Sequence, residues 1–294
     1  MHKKLTNLIH SKLANDLMSY IYDNIQSDIN MDEMAKDFSI SKCHFHKIFK
    51  EQTGMAIYET IKSIRLQKAS NILITNKYSN ISEIANMCGY SSQTSFIRAF
   101  KQRFSQTPTY WRKGGYKEYS NNIISSLTNN KKPSIDFSSL EQNLIKVKPR
   151  MAYYIRQKGY SPNYKQTWEK LKAWVYSNDI KEYEQIGIYH DNPTLTPLKE
   201  CNYVACIVPS SDTLNLGSTS LPQLEIQECL CITFKIECLH EDILLLIQWV
   251  YHEWLPNSGY ETITIPSYII KENEDFASSN NIIKGIYHVP VRYV

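Results

Sequence analysis

The sequence predicts a multidomain protein: an all-α N-terminal domain with two helix-turn-helix units, then an α+β domain built from two strand-helix-strand-strand repeats. Three observations predict it. A sequence repeat recurs within the first 115 residues, the charge changes sign between the halves, and the prolines crowd into the second. Residues 1–120 hold 17 Lys+Arg against 10 Asp+Glu, whereas residues 121–294 hold 16 against 19. Of the 11 prolines, Pro108 alone precedes residue 133. Proline breaks helix interiors, so the proline-poor half favours helices and the punctuated half favours strands and turns.

Composition sets outer limits. With 294 residues, 42% hydrophobic and 21% charged, the chain has enough apolar material for two cores, which excludes disorder as its main state. The apolar run Ile243–Ile247 falls far short of the roughly 20 residues of a membrane span, and no apolar signal core follows Met1-His2-Lys3-Lys4. A cytoplasmic protein away from membranes is expected. Seven cysteines with no C-x-x-C pair indicate reduced thiols rather than a disulfide framework or a zinc ribbon.

The N-terminal repeat is explicit. Asn30-Met31-Asp32-Glu33-Met34-Ala35 recurs as Asn80-Ile81-Ser82-Glu83-Ile84-Ala85, and Ile48-Phe49-Lys50 recurs as Ala99-Phe100-Lys101. In each copy Asn followed three residues on by Glu has the form of a capping box that starts a short helix. A turn follows, Phe38-Ser39-Ile40 or Cys88-Gly89-Tyr90, and then a second helix. This is the supersecondary unit that reads DNA.

Periodicity separates the faces of each second helix. Phe45, Ile48 and Phe49 make the inner stripe of the first, leaving Lys42, Cys43, His46, Lys47 and Lys50 outside. Phe96, Ala99, Phe100 and Phe104 make that of the second, leaving Gln93, Thr94, Ile97, Arg98 and Lys101 outside. Arg suits guanine O6 and N7, Gln suits adenine N6 and N7, and Lys suits phosphate. From Ala56 to about Thr75 one helix is expected, with Tyr58, Ile61, Ile64, Ile72 and Leu73 spaced for burial. At ~1.5 Å per residue it spans roughly 30 Å, close to one turn of B-DNA at about 34 Å. One chain then reaches two successive major grooves, and since the repeats run in the same direction with different outward residues, the expected site is non-palindromic.

Residues 11–113 resemble the DNA-binding domain of the AraC/XylS family of bacterial transcription regulators. The motifs that carry it are Ser41 through Gly54, Ile84-Ala85 through Gly89-Tyr90 to Lys101, then Thr107-Pro108 and Arg112. Ser105 stands where many members have Gly, which resembles the MarA/SoxS/Rob branch, whose members act as monomers on DNA. That resemblance implies base contacts from Cys43, His46 and Lys47 in the first unit and from Gln93, Thr94, Ser95 and Arg98 in the second. It also implies double-stranded promoter DNA and RNA polymerase as partners. Cys43, His46 and Lys47 replace that branch's tryptophan, glutamine and arginine, so first-unit specificity is expected to differ.

Residues 1–115 therefore form the expected DNA-binding domain and 140–294 the second domain. Polar residues dominate the stretch between them, including Ser120-Asn121-Asn122 and Thr128 through Ser134, so residues 116–139 read as a linker.

In the second domain, strands are expected at 144–157, 185–190, 202–208, 224–235, 261–270 and 282–291. Helices are expected at 164–176 and 240–254. This domain resembles the GyrI-like effector-binding domains of multidrug-responsive regulators. Tyr189-His190-Asp191-Asn192-Pro193, Cys201 through Ala205, Trp254 through Tyr260, Pro266 and Val289-Pro290-Val291 carry the likeness.

The resemblance implies a cleft that binds hydrophobic, often cationic compounds between aromatic walls and a buried glutamate. Ile269 occupies the position where relatives place that glutamate, so a neutral or differently charged effector is expected. Glu237 substitutes only if it points inward. Trp168, Trp174, Tyr203, Trp254, Tyr260 and Tyr268 are the candidate walls, with core packing as the competing role.

The reading that follows is a non-enzymatic transcription activator, without cofactor or metal, controlled by a small hydrophobic or amphipathic effector. Two alternatives stand beside it: a protein-docking module, or a hydrolase of small electrophiles, which some GyrI-like proteins are thought to be. Loss of the expected glutamate disfavours the hydrolase.

Overall fold

A computed structural model describes residues 2–128, 132–160, 164–210, 221–272 and 282–294, and the chain divides into two compact units at Tyr116. The first unit is helical. It comprises α1 (His2–Asp23), α2 (Met31–Asp37), α3 (Lys42–Thr53), α4 (Ile57–Thr75), α5 (Ile81–Met87), α6 (Gln93–Phe104) and α7 (Pro108–Tyr110), which runs on into a π turn at Trp111–Gly115. Pairs α2/α3 and α5/α6 are the two helix-turn-helix units.

Local chemistry sets their ends. The Asn80 side chain accepts from the Glu83 N–H while the Glu83 carboxylate accepts from the Asn80 N–H, a complete capping box. Asn30 accepts from the N–H groups of Asp32 and Glu33. Ser41 and Ser92 cap α3 and α6 in the same way. Both second helices stop in left-handed backbone, at Gly54 (φ 78°) and at Ser105 (φ 56°).

The inner stripes are as the spacing predicts for Phe45, Ile48, Phe49, Phe96, Phe100 and Phe104, all buried, whereas Ala99 is half-buried. Leu17 and Ile21 of α1 and Ile25 just after it complete the first core with Ile57, Ile61 and Ile64 of α4. In the second unit Trp111 packs on Phe100 and Phe104 and donates its indole N–H to the Ser70 carbonyl of α4 at 3.1 Å. Tyr58 departs from its expected burial. It lies exposed with its ring stacked on His46 at 5.5 Å, because the facing positions of α4 are filled by Ile57, Ile61 and Ile64.

The stretch expected as a linker is structured over most of its length. Residues Tyr116–Thr128 form helix α8, in which Tyr116, Ser120 and Ile124 recur every four residues and are buried. Gln248 donates to Ser120 and Asn121, and Lys117 pairs with Glu253 at 2.6 Å. Further on, Ser134 bonds the buried Asp242 carboxylate, and the buried Phe137 packs on Trp249. A helical stripe containing one serine and few apolar residues is invisible to composition, which explains the difference.

The second unit is an antiparallel sheet with helices on one face. Its strands are β1 (Gln142–Val147), β2 (Arg150–Lys158), β3 (Tyr183–Tyr189), β4 (Asn202–Pro209), β5 (Gln223–Ile226), β6 (Cys229–Leu239), β7 (Tyr260–Thr262), β8 (Ser267–Lys271) and β9 (Ile282–Tyr293). Helix α9 (Tyr164–Ser177) packs on β2 and β4, and α10 (Asp242–Trp249), extended by a π turn to Trp254, packs on β6. Three expected strands are each broken in two. Pro149, the Gln227-Glu228 step and Pro266 interrupt the ladders.

The order β1-β6-β9-β8-β3-β4-β2-β5, with β7 beside β9, shows the two repeats directly. Exchanging β1 with β5, β2 with β6, β3 with β8 and β4 with β9 reverses the order and leaves it unchanged. Each repeat's opening strand lies at the outer edge of the other repeat. Alternation divides the faces. Ile232, Phe234, Ile236 and Tyr287 join Trp168, Leu246 and Ile247 under the helices, while Tyr154, Ile186, Cys206, Cys231 and Tyr268 pack on the opposite face.

Candidate nucleic-acid interface and ligand site

Every expected DNA-contacting residue lies on the outward side of its helix. Lys42, Cys43, Lys47, Lys50, Gln93, Thr94, Ser95, Arg98 and Lys101 are exposed, and His46 is half-buried against Tyr58. They differ in what already holds them. Lys42 pairs with Asp32 at 3.0 Å and Lys47 with Glu51 at 3.9 Å. Ser95 spends its hydroxyl on the Ser92 carbonyl at 2.8 Å. Lys50, Arg98 and Lys101 have no ion pair among the described residues, which leaves their charge for a phosphate or a base edge.

The two units are fastened through α4 by a residue that sequence reasoning missed. Arg65 donates from Nε to the Ile25 carbonyl at 3.1 Å and from its terminal nitrogen to the Ser27 carbonyl at 2.8 Å, both just after α1. Its other side meets the second unit's turn, where Gly89 has φ 75° and a Cβ would fall 2.8 Å from the guanidinium. Burial lowers the Arg65 pKa and pushes that of Tyr90, beside it, up to about 12. A planar fork suits two carbonyls as an ammonium does not. The signal was an arginine between Lys62 and Lys68 on the expected bridging helix.

The candidate effector residues do not converge on one pocket. Trp168 and Trp174 lie on the buried face of α9 and Tyr203 on β4 beneath it; Trp174 packs on Tyr153 at 4.8 Å and Tyr203 packs edge-on against Tyr189 at 5.6 Å. The Tyr203 hydroxyl lies over Gly187, a space that any side chain at 187 would fill. Trp254 and Tyr260 stack with each other at 6.4 Å near the end of α10, and Trp254 donates to Gln142 at 2.6 Å.

Tyr268 points to the opposite face, stacked on His288 at 4.6 Å, and burial raises its pKa strongly. Glu237 alternates away from the helices. It is exposed and pairs with Lys284 at 3.5 Å, so it does not replace the missing carboxylate. Ile269 is buried on the helix side.

The remaining chemistry is sparse. All seven cysteines are free, and Cys43 alone is exposed. Cys229 and Cys231 approach to 3.5 Å between sulfurs. Among the described residues no three metal-ligating side chains gather, and no helix is long and apolar enough to cross a membrane.

Two capped helix-turn-helix units fixed to one helix, followed by a two-repeat sheet domain, define the class of DNA-binding regulators with an appended ligand domain. Residues 34–114 match a helix-turn-helix domain, and residues 141–287, half of the chain, match the GyrI-like small molecule binding domain. The chain belongs to the AraC family of transcription regulators and carries a GyrI-like domain behind its DNA-binding domain.

Among its relatives, the probable transcription factor PqrA of Proteus vulgaris is 34% identical over 105 residues, covering 35% of this chain and 85% of PqrA. The Msm operon regulatory protein of Streptococcus mutans is 31% identical over 112 residues, which cover 38% of this chain and only 40% of that protein's length. The crystal structure of the EcmrR C-terminal domain aligns with 53% of this chain and 99% of that one, at 13% identity and a TM-score of 0.41.

Proposed function

We propose that the protein is a cytoplasmic transcription activator that binds one asymmetric promoter site as a monomer, engages RNA polymerase there, and is controlled by a small hydrophobic or amphipathic effector in its second domain. The single observation that carries the DNA part is the pair of outward faces on α3 and α6, both anchored to α4. In this reading Arg98 and Gln93 read base edges in one groove, with Thr94 and Ser95 beside them. Cys43, His46 and Lys47 read the other, and Lys42, Lys50 and Lys101 hold phosphates.

Control follows if the effector binds the transcriptionally active arrangement more tightly than the inactive one. The aromatic residues under α9 and α10 supply the apolar part of that site. Selection of genomic fragments by the purified chain, followed by footprinting, tests the DNA part. The expected footprint covers two successive major grooves without two-fold symmetry, whereas a palindromic footprint occupied by two chains contradicts it. Transcription in vitro from the selected promoter with added polymerase is expected to rise, and a fall assigns repression instead.

A further inference from the structure

On the helix-packed side of the sheet stands a cation with no carboxylate partner among the described residues. Lys271 ends β8 on the helix-packed face, two residues after Ile269 and paired across the ladder with the buried Gln185. Its amine lies 3.9 Å from the centroid of the Trp168 ring. It makes no ion pair or hydrogen bond among the described residues. His240, the titratable neighbour, adds no negative charge, because burial and the Lys271 amine keep it neutral.

An ammonium taken from water into such surroundings normally gains a carboxylate partner or loses its proton. A ring face alone offsets only part of that cost. Burial accordingly holds the Lys271 pKa down to about 7. The residue as a whole is nevertheless half-buried, so part of it meets solvent.

Taking residues 141–287 as the ligand domain, as proposed above, we infer that its effector is an organic anion, an aromatic carboxylate whose ring packs beside Trp168 and whose carboxylate pairs with Lys271. The charge preference is the reverse of that expected where a buried glutamate sits at position 269. Ile269 supplies apolar contact, and Lys271, one alternation further along the same face, supplies the charge.

Three probes with one ring system test it by calorimetry on the full chain: 2-naphthoate, 2-naphthylmethanol and 2-naphthylmethylammonium. The carboxylate is expected to bind at least tenfold more tightly than the ammonium. Lys271→Met is expected to weaken the carboxylate at least tenfold and to leave the alcohol within twofold, and binding of the alcohol also reports that the variant has folded. Lys271→Arg is expected to keep carboxylate binding within threefold. If all three probes bind alike, or if Lys271→Met changes nothing, the anion assignment falls while the ligand domain stands. If none of the three binds, both fall.

Discussion

Gly89 faces the guanidinium of Arg65 where the turn of the second unit meets the bridging helix, and a Cβ there would fall 2.6 Å from the Ile25 carbonyl oxygen and 2.8 Å from the guanidinium, leaving no room for a side chain. Its φ of 75° also favours glycine. Both terms oppose Gly89→Ala: left-handed backbone costs roughly 1–2 kcal/mol for an alanine, and displacing Arg65 loosens its two bonds to Ile25 and Ser27. A loss of about 2–3 kcal/mol is expected by urea denaturation. A loss below about 1 kcal/mol would show that Arg65 and the Ile25 carbonyl both yield without cost.

Gly54 and Ser105 end equivalent helices in the same backbone conformation with different residues. Nothing lies within 4 Å of a Cβ at Gly54, so Gly54→Ala isolates the backbone term. It is expected to destabilise by about 1 kcal/mol, and Ser105→Gly to stabilise by a similar amount. Equal shifts of opposite sign in the urea midpoint are the measurement. A destabilised Ser105→Gly variant would mean that the serine makes a contact worth more than its strain.

Arg98 and Lys50 separate base reading from phosphate binding. Arg98→Ala is expected to lose ~1–3 kcal/mol on the specific site and to relax preference at one base pair. Lys50→Ala is expected to weaken all duplexes alike and to reduce the salt slope by about 1. Anisotropy titrations on specific and random DNA at several salt concentrations decide. Equal losses for Arg98→Ala on both would contradict its role.

His252 is buried, and burial together with Lys117 holds its pKa down to about 3, against an ordinary value of 6.5. The unfolded chain therefore takes up a proton below about pH 6.5 that the folded chain refuses until about pH 3. Its contribution to stability is complete above 6.5 and is lost as the pH falls through that window, at ~1.4 kcal/mol per pH unit. His252→Gln is expected to flatten the acid limb by one proton between pH 6 and 4 in denaturation of the full chain. An unchanged slope would show that His252 is protonated in the folded state.

The N-terminal architecture was legible because its signals are local. A repeat, two caps and apolar residues at three- and four-residue spacing specify α2, α3, α5 and α6 almost without tertiary information. What escaped notice there depends on distant partners: Arg65 finds carbonyls some forty residues back in the chain. In the second domain the strand pattern was readable, but the placement of aromatic side chains was not. Tyr203 and Tyr268 look alike in a sequence, yet the pleat sends one beneath the helices and the other to His288 on the far side. Lys271 is hidden in the sequence for the same reason, since one residue of register decides whether a lysine meets water or an indole.

The exchanged outer strands β1 and β5 bind the halves of the sheet domain into one folding unit. A chain cut between β4 and β5 leaves two fragments, each carrying a strand whose hydrogen-bonding partner is on the other. Neither should hold its edge alone, and mixing them should restore the sheet by complementation at a rate set by fragment concentration.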